Sequence, residues 1–375
     1  MSNLDILIKD MNKKYKQDIL VKGNIIEKQK QIPLSSPLLN YMLYGGIPRG
    51  RIIEFAGEEG GGKTTTALDL VKNAQRIFTE EYISELEKLA SKDKLNKQEE
   101  SKLNILKVAG PKKILYADCE NTLDEEWAKL LGVDVDEMIL LKPASQTAEQ
   151  IFEILLQAIE TNELGLVVID SLGVMLSAQA FEKTMEEKTY GGIAASLTLF
   201  SKKAELLCNM TGCILIGINQ MREDLNSSYG GMITTGGKAW KHNCSLRLMF
   251  QKGVYIDEKG NDLKRSAENP AGNIVNINIV KTKVCKPDKR VGYYTLRYNS
   301  GIDIISDTID MAIKFGIIQQ AGSWLNIVDY ETGEILIDQE TKEELKMHGK
   351  PALIEFLTNN NDLYAMIQNI LENIK

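Results

Sequence analysis

Cysteine and histidine are scarce in this chain of 375 residues, which holds five cysteines (Cys119, Cys208, Cys213, Cys244, Cys285) and two histidines (His242, His348). The odd count and the lack of paired metal-ligand spacing exclude a disulfide-stapled scaffold and argue against a structural zinc site. The cysteines are expected to serve as small core hydrophobes. No apolar run approaches the roughly 18 residues that cross a bilayer, so no membrane partner is expected. The first residues interleave charges with their only apolar stretch, unlike the basic-then-apolar order of a secretion leader, and a cytoplasmic location is expected. A positive excess is missing too: 45 Lys and Arg against 52 Asp and Glu leave a net charge of -7. No global field therefore announces nucleic acid, and a polyanion would have to be met by local basic loops or positive helix ends. Internal repeats and low-complexity segments are absent.

What is present is a globular chain long enough for two or three domains. Leu4, Ile8 and Met11 recur at helical spacing and lead into a polar stretch, an arm too small to fold alone. Pro33 and Pro37 punctuate the chain, and the turn at residues 45–50 precedes a core domain. Ile52, Ile53 and Phe55 are β-rich, a glycine cluster follows, and residues 64–77 have the spacing of a helix. The short apolar runs at 114–117, 166–169 and 214–218 lack alternation and suit parallel strands buried on both faces. Residues 80–113 are highly charged, with Leu86, Leu89, Leu103 and Leu106 at helical spacing and a break near Ser91. Asn96 with Glu99 predicts a capped second helix, hence a helical hairpin inserted before the second strand. After Leu246 the pattern alternates, as antiparallel edge strands do. Further on, Ile309, Ala312 and Ile313 predict a helix, residues 324–337 a hairpin turning at Glu331, Thr332 and Gly333, and residues 351–375 a helical end.

Gly57-Glu58-Glu59-Gly60-Gly61-Gly62-Lys63-Thr64 sets two glycines four residues apart, followed by lysine and a hydroxyl. Glycines let backbone amides turn toward phosphate oxygens, the helix starting near Lys63 offers its positive end, and Lys63 adds a point charge. Thr64, with Thr65 beside it, can ligate Mg2+. The alternative is a flexible glycine turn with an incidental lysine, but strand and helix flank it in the required order. A second metal-side carboxylate is expected at the end of a neighbouring buried strand, where Asp170 stands. Glu120, just past another strand end, is the candidate base for activating water. Gln220, past a third, can sense a γ-phosphate, although an amide there can equally be a cap.

The chain resembles the RecA family of recombinases. The likeness runs through residues 46–53 with the phosphate loop, residues 118–136 with Leu123, Asp124, Leu131, Gly132 and Val133, then Asp170-Ser171, Ile218-Asn219-Gln220 and Thr234-Thr235-Gly236-Gly237-Lys238-Ala239. It covers nearly the whole chain except the charged hairpin, and a phage-type or a divergent bacterial member would both fit. It implies an α/β fold: a RecA-type P-loop NTPase core with a mostly parallel central sheet (32–302), an N-terminal helical oligomerisation arm (1–31) and a small α+β C-terminal domain (303–375). Glu120 matches the catalytic glutamate and Gln220 the glutamine that couples γ-phosphate to DNA loops. Asp124, Trp127 and Tyr298 fall where the family contacts the base of ATP. Lys281 and Lys283 match lysines that reach the neighbouring subunit's ATP; unaided by the resemblance they are solvated strand lysines. Tyr15 and Ile19 fall in the arm that docks on an adjacent copy, which implies a helical filament.

Two DNA-binding loops are implied, at about 181–195 with Lys183, Lys188, Gly191 and Gly192, and at about 221–235 with Arg222, Tyr229, Gly230 and Gly231. Ser196 stands where the family carries an arginine, and Glu223 and Asp224 add negative charge to the second loop. The expected function is ATP-dependent pairing of single-stranded DNA with homologous duplex and strand exchange, with DNA-stimulated ATP hydrolysis. Alternatives are a hexameric RecA-type helicase or repair accessory ATPase, and a non-enzymatic nucleotide-gated scaffold. The final residues form no acidic run, so self-inhibition through such a tail is not expected.

Overall fold

In a computed structural model, residues 2–15, 19–21, 29–92, 94–183, 192–223, 232–338 and 341–374 are described, Arg222, Glu223 and Met232 by their backbone only. The chain forms two compact units, Met1–Lys30 and Gln31–Lys375. The first carries α1 (Asn3–Tyr15), in which no residue is buried. Ser2 and Asp5 bond reciprocally at its start, Asp5 N to Ser2 Oγ at 3.2 Å and Ser2 N to Asp5 Oδ2 at 3.1 Å, satisfying amides the first turn leaves unpaired. The Asn12 amide then grips the backbone of Leu20 through both its oxygen and nitrogen, each at 2.9 Å. Of the expected arm, residues 1, 16–18 and 22–28 lie outside the described residues.

In the second unit, the strand β1 (Gln31–Ile32) leads to α2 (Pro37–Met42), which starts on a Ser36 cap with proline in its first turn. The short β2 (Ile47–Pro48) precedes β3 (Ile52–Gly57), which is buried at every position, its one charged residue, Glu54, included. The following helix, α3, runs without interruption over Lys63–Ala90, and α4 (Lys97–Ala109) returns beside it. The expected end of this helix at residue 77 is therefore wrong. Residues 78–90 carry no proline or glycine to stop it, so the first arm of the charged hairpin is the phosphate-loop helix itself. The Asn96 and Glu99 capping box is present as expected.

Beyond the hairpin come β4 (Lys113–Asp118), α5 (Glu125–Leu130), β5 (Met138–Leu141), α6 (Ala148–Glu160), β6 (Leu164–Asp170), α7 (Ala178–Phe181), α8 (Ala194–Thr211) and β7 (Ile214–Glu223). The chain continues through β8 (Met232–Thr234), α9 (Gly237–Asn243), β9 (Leu246–Ile256), β10 (Asp262–Leu263), β11 (Gly272–Thr282), β12 (Val291–Arg297) and β13 (Gly301–Ile302). The main path of the sheet runs β13-β12-β11-β9-β3-β7-β6-β4-β5. Pairing is parallel from β9 to β5 and antiparallel from β9 outward to β13. On one face α3 packs Leu68, Val71 and Phe78 into a core with Phe55, Phe250 and Val275. On the other, α6 and α8 bury Ile151, Leu155 and Phe200, with the Phe152 and Phe200 rings stacked at 4.3 Å. Cys208, Cys213 and Cys244 join that second core as expected, whereas Cys119 and Cys285 are only half-buried.

The C-terminal part holds α10 (Ile304–Lys314), β14 (Ile318–Ala321), β15 (Trp324–Ile327), β16 (Lys346–His348), α11 (Gly349–Asn359) and α12 (Asn361–Asn373). The helical end is thus two helices, broken at Asn360. Its hydrophobic cluster of Ile309, Ile327, Leu353 and Ile367 is completed by Leu38 of α2. The expected turn at Glu331, Thr332 and Gly333 is there, closed by Gly333 N to Asp329 O at 2.8 Å.

Candidate active site

The carboxyl ends of β3, β4, β6 and β7 lie side by side, and of the sequence-predicted residues Lys63, Thr64, Glu120, Asp170 and Gln220 gather there. The phosphate loop leaves β3 at Gly57 and enters α3 at Lys63. It is pressed against the neighbouring strands: a Cβ on Gly57 would lie 2.1 Å from Phe250 O, and one on Gly62, whose φ is +90°, 2.9 Å from Val275 Cγ2. Only glycine fits those two positions. Lys63 Nζ folds back over the loop to Gly57 O at 3.1 Å and Glu58 O at 2.5 Å. Burial pushes its ammonium down from the usual lysine range, opposed by the charges of Asp170, Glu120, Glu59 and Glu58.

Thr64 Oγ1 donates to Asp170 Oδ2 at 2.8 Å, and the buried Tyr116 hydroxyl donates to the same oxygen at 2.7 Å. Desolvation raises the Asp170 pKa, countered by these two bonds. A threonine hydroxyl and a carboxylate side by side are the hard oxygen donors that suit Mg2+. Glu120 is stitched to the same strand end by its own amide and that of Cys119, both donating to Asp170 O, at 3.3 and 2.7 Å. Its Oε1 accepts Gln220 Nε2 at 3.0 Å and also the Ser171 hydroxyl. The candidate base and the candidate sensor are therefore in direct contact. Burial, with the charges of Asp118, Asp170 and Glu120, pushes the Cys119 thiol up to about 12, which leaves it protonated and inert.

Asp118 accepts the amides of Thr122 and Leu123, each at 3.1 Å, and so turns the chain toward Asp124. Asp124 caps α5 by accepting Trp127 N at 3.0 Å, and the Trp127 ring packs partly on the core. Tyr298 donates to Asn273 Oδ1 at 2.9 Å. Lys281 and Lys283 stand apart from the Glu120 cluster, at the carbonyl end of α9. Lys281 Nζ reaches Lys241 O at 2.7 Å and His242 O at 2.6 Å, and Lys283 Nζ reaches His242 O at 3.0 Å, a favourable place for cations. Tyr15 and Ile19 belong to the other compact unit.

Both expected DNA loops are shorter than their assigned bounds. In the first, Phe181 closes α7 and residues 194 and 195 already belong to α8. In the second, residues 221–223 and 232–234 pair as antiparallel strands, so alternating Met221, Arg222 and Glu223 are a hairpin stem and not loop. Lys183 and Gly192 border the first loop, and Gly192 has φ +48° with open space around it. Lys188, Gly191, Asp224, Tyr229, Gly230 and Gly231 lie outside the described residues, as does the side chain of Arg222. Ser196, in the place of an expected arginine, donates to Ile193 O at 3.0 Å.

Sequence reasoning missed Tyr116 and Ser171 as partners of Asp170 and Glu120. It also missed Tyr294, whose hydroxyl lies 2.9 Å from Thr66 Oγ1 and 3.4 Å from Gly62 O. The tyrosines sit inside strands, where an aromatic reads as core; Ser171 had a signal, its place directly after Asp170.

The family described as RecA N-terminal domain matches residues 2–86 and 103–303. The skipped residues hold the turn between α3 and α4, a narrower insert than the 80–113 assigned from charge. Protein RecA of Ruminococcus albus is 28% identical over 340 residues, which are 90% of this chain and 71% of that protein. Protein RecA of Ureaplasma parvum is 30% identical over 323 residues, 86% of this chain and 79% of its own. Protein RecA of Streptomyces coelicolor is 30% identical over 339 residues, 90% and 75% respectively.

Proposed function

The chain belongs to the RecA family, and from that premise we propose that it is a cytoplasmic ATP-dependent recombinase. It polymerises as a helical filament on single-stranded DNA, pairs it with homologous duplex and exchanges strands, with DNA-stimulated ATP hydrolysis. The observation that supports this most is the Gln220 to Glu120 bond, because β7 carries Gln220 and continues directly into the stem of the second hairpin. One strand thereby joins the water-activating carboxylate to the segment that meets DNA.

In this reading the loop amides and Lys63 cradle the phosphates of ATP, and Thr64 and Asp170 hold Mg2+, which supplies charge neutralisation at the transferring phosphoryl group. Glu120 accepts the proton of the attacking water, while Gln220 and Ser171 hold its carboxylate in place. Asp124, Trp127 and Tyr298 flank the base. Lys281 and Lys283, gathered at one helix end, are presented to the nucleotide of the adjoining copy, to which the N-terminal arm docks through Tyr15 and Ile19. Lys183, Lys188, Gly191 and Gly192 in the first loop and Arg222, Tyr229, Gly230 and Gly231 in the second meet DNA. ATP hydrolysis is measured with and without single-stranded DNA, then joint molecules between circular single strands and linear duplex. Stimulation and joint molecules are expected, with both lost in Glu120→Gln. Hydrolysis indifferent to DNA, or no joint molecules, refutes the proposal.

A further inference from the structure

Beneath the phosphate loop lies a charged group that neither the nucleotide cradle nor the DNA loops account for. Glu54, in the middle of β3, is fully buried, three residues upstream of Gly57. Its position opposite Arg247 on β9 and Gly217 on β7 is set by the parallel register. Oε1 accepts Asn219 Nδ2 at 2.9 Å and Trp240 Nε1 at 3.1 Å, and Oε2 pairs with Arg247 Nε. A buried carboxylate is tolerated only when its oxygens are bonded this completely. Gly217 makes the arrangement possible, since a Cβ there would stand 2.5 Å from Trp240 Cζ2, and so the indole crosses β7 to reach Glu54.

The donors are informative because of where they sit. Asn219 directly precedes Gln220, and its Nδ2 also donates to Thr235 O at 2.8 Å. Residue 235 follows the closing strand of the second hairpin, and Trp240 lies on α9 just beyond. The Asn219 amide therefore uses one proton on Glu54 and the other on the far end of the hairpin, while its buried Oδ1 has no partner among the described residues. One carboxylate thus ties the root of the phosphate loop to both ends of the segment that starts at Gln220. We infer that Glu54 is a positioning residue: through Asn219 and Trp240 it holds the second hairpin in register with the nucleotide cradle, so that occupancy of either is felt at the other. This deepens the proposed function, from which it takes single-stranded DNA as the ligand of the hairpin.

Two variants of the full chain test it. Glu54→Gln keeps the shape and weakens the hub, and Trp240→Phe keeps a ring over Gly217 but removes the N–H. For each, binding of a fluorescent ATP analogue, hydrolysis without DNA, hydrolysis with poly(dT), and anisotropy of labelled poly(dT) with and without a slowly hydrolysed analogue are measured. Binding of the analogue and DNA-independent hydrolysis stay within about twofold of wild type, while stimulation by poly(dT) and the nucleotide effect on DNA affinity each fall about tenfold, an ordinary coupling strength. Retained stimulation in Trp240→Phe, or a parallel loss of basal and stimulated rates, overturns the inference. If Glu54→Gln does not fold, Trp240→Phe decides alone. A wild type whose hydrolysis ignores poly(dT) overturns the proposed function and this inference together, whereas a stimulated wild type with stimulated variants overturns only this one.

Discussion

Tyr116 shows how a single hydroxyl shapes a site from within a strand. It is nearly fully buried, and its phenol is held well above the usual tyrosine range by burial and by Asp170, so it keeps the proton that it donates to Asp170 Oδ2. Tyr116→Phe would leave the core volume intact and deprive Asp170 Oδ2 of one of two donors. A loss of about 1–3 kcal/mol in urea unfolding is expected, the cost of an unmade bond to a buried polar group. Nucleotide affinity should also need more Mg2+, read by titrating the metal against binding of a fluorescent ATP analogue. Unchanged unfolding would mean that water replaces the phenol. Gly62 is the backbone counterpart. Gly62→Ala would have to move Val275 or Tyr294 and relax a φ of +90°, and loss of nucleotide binding with near-native circular dichroism is the expected result.

At the scale of elements, the hairpin of α3 and α4 is a projection from the sheet edge opposite the phosphate loop, since α4 leads into the first residue of β4. Glu99, Leu103, Leu106 and Ala109 are its half-buried positions and none is fully buried, while Val108 is 90% exposed, so α4 rests on a narrow stripe. A lightly packed helix depends on its caps. Asn96→Ala should therefore cost about 1 kcal/mol, appearing as faster amide exchange confined to residues 97–109 with ATP hydrolysis unchanged. Exchange spreading into β4 would show that the hairpin supports the core.

For the whole molecule, the seam between the sheet and the C-terminal part turns on Asp307. Its carboxylate on α10 accepts the Ser36 hydroxyl and lies 3.4 Å from Leu38 N, so it holds the start of α2. Burial, reinforced by Asp310 and opposed by Lys350 and those two bonds, raises its pKa to about 7. A carboxyl with a raised folded-state value binds its proton more tightly in the native than in the unfolded chain. Its stabilisation is complete below the ordinary value near 4 and is lost as pH rises through about 7. Between those limits the slope from this group alone is on the order of -1.4 kcal/mol per pH unit. Thermal unfolding between about pH 5 and 8 should show a falling Tm that Asp307→Asn flattens. An equal slope in both proteins would place the effect elsewhere. Assembly is tested at the same scale: Tyr15→Ala, on a helix with no buried residue, should weaken self-association in sedimentation at low concentration while leaving unfolding unchanged.

Local rules decided a good deal of this protein. The glycine spacing before Lys63, the non-alternating apolar runs that became β4, β6 and β7, and the Asn96 capping box are interactions among near neighbours in the chain, so their residues carry the information directly. The end of α3 was not legible, because a charged helical stretch reads the same whether it begins a new helix or prolongs an old one. The stem flanking the second loop was hidden as well, since a strand of three residues is decided by its partner and not by its own pattern. Tertiary structure alone put Tyr116 beside Asp170, 54 residues away, and Trp240 beside Glu54, 186 residues away. Sheet register and the missing side chain at Gly217 create those contacts, and no span of adjacent residues encodes either.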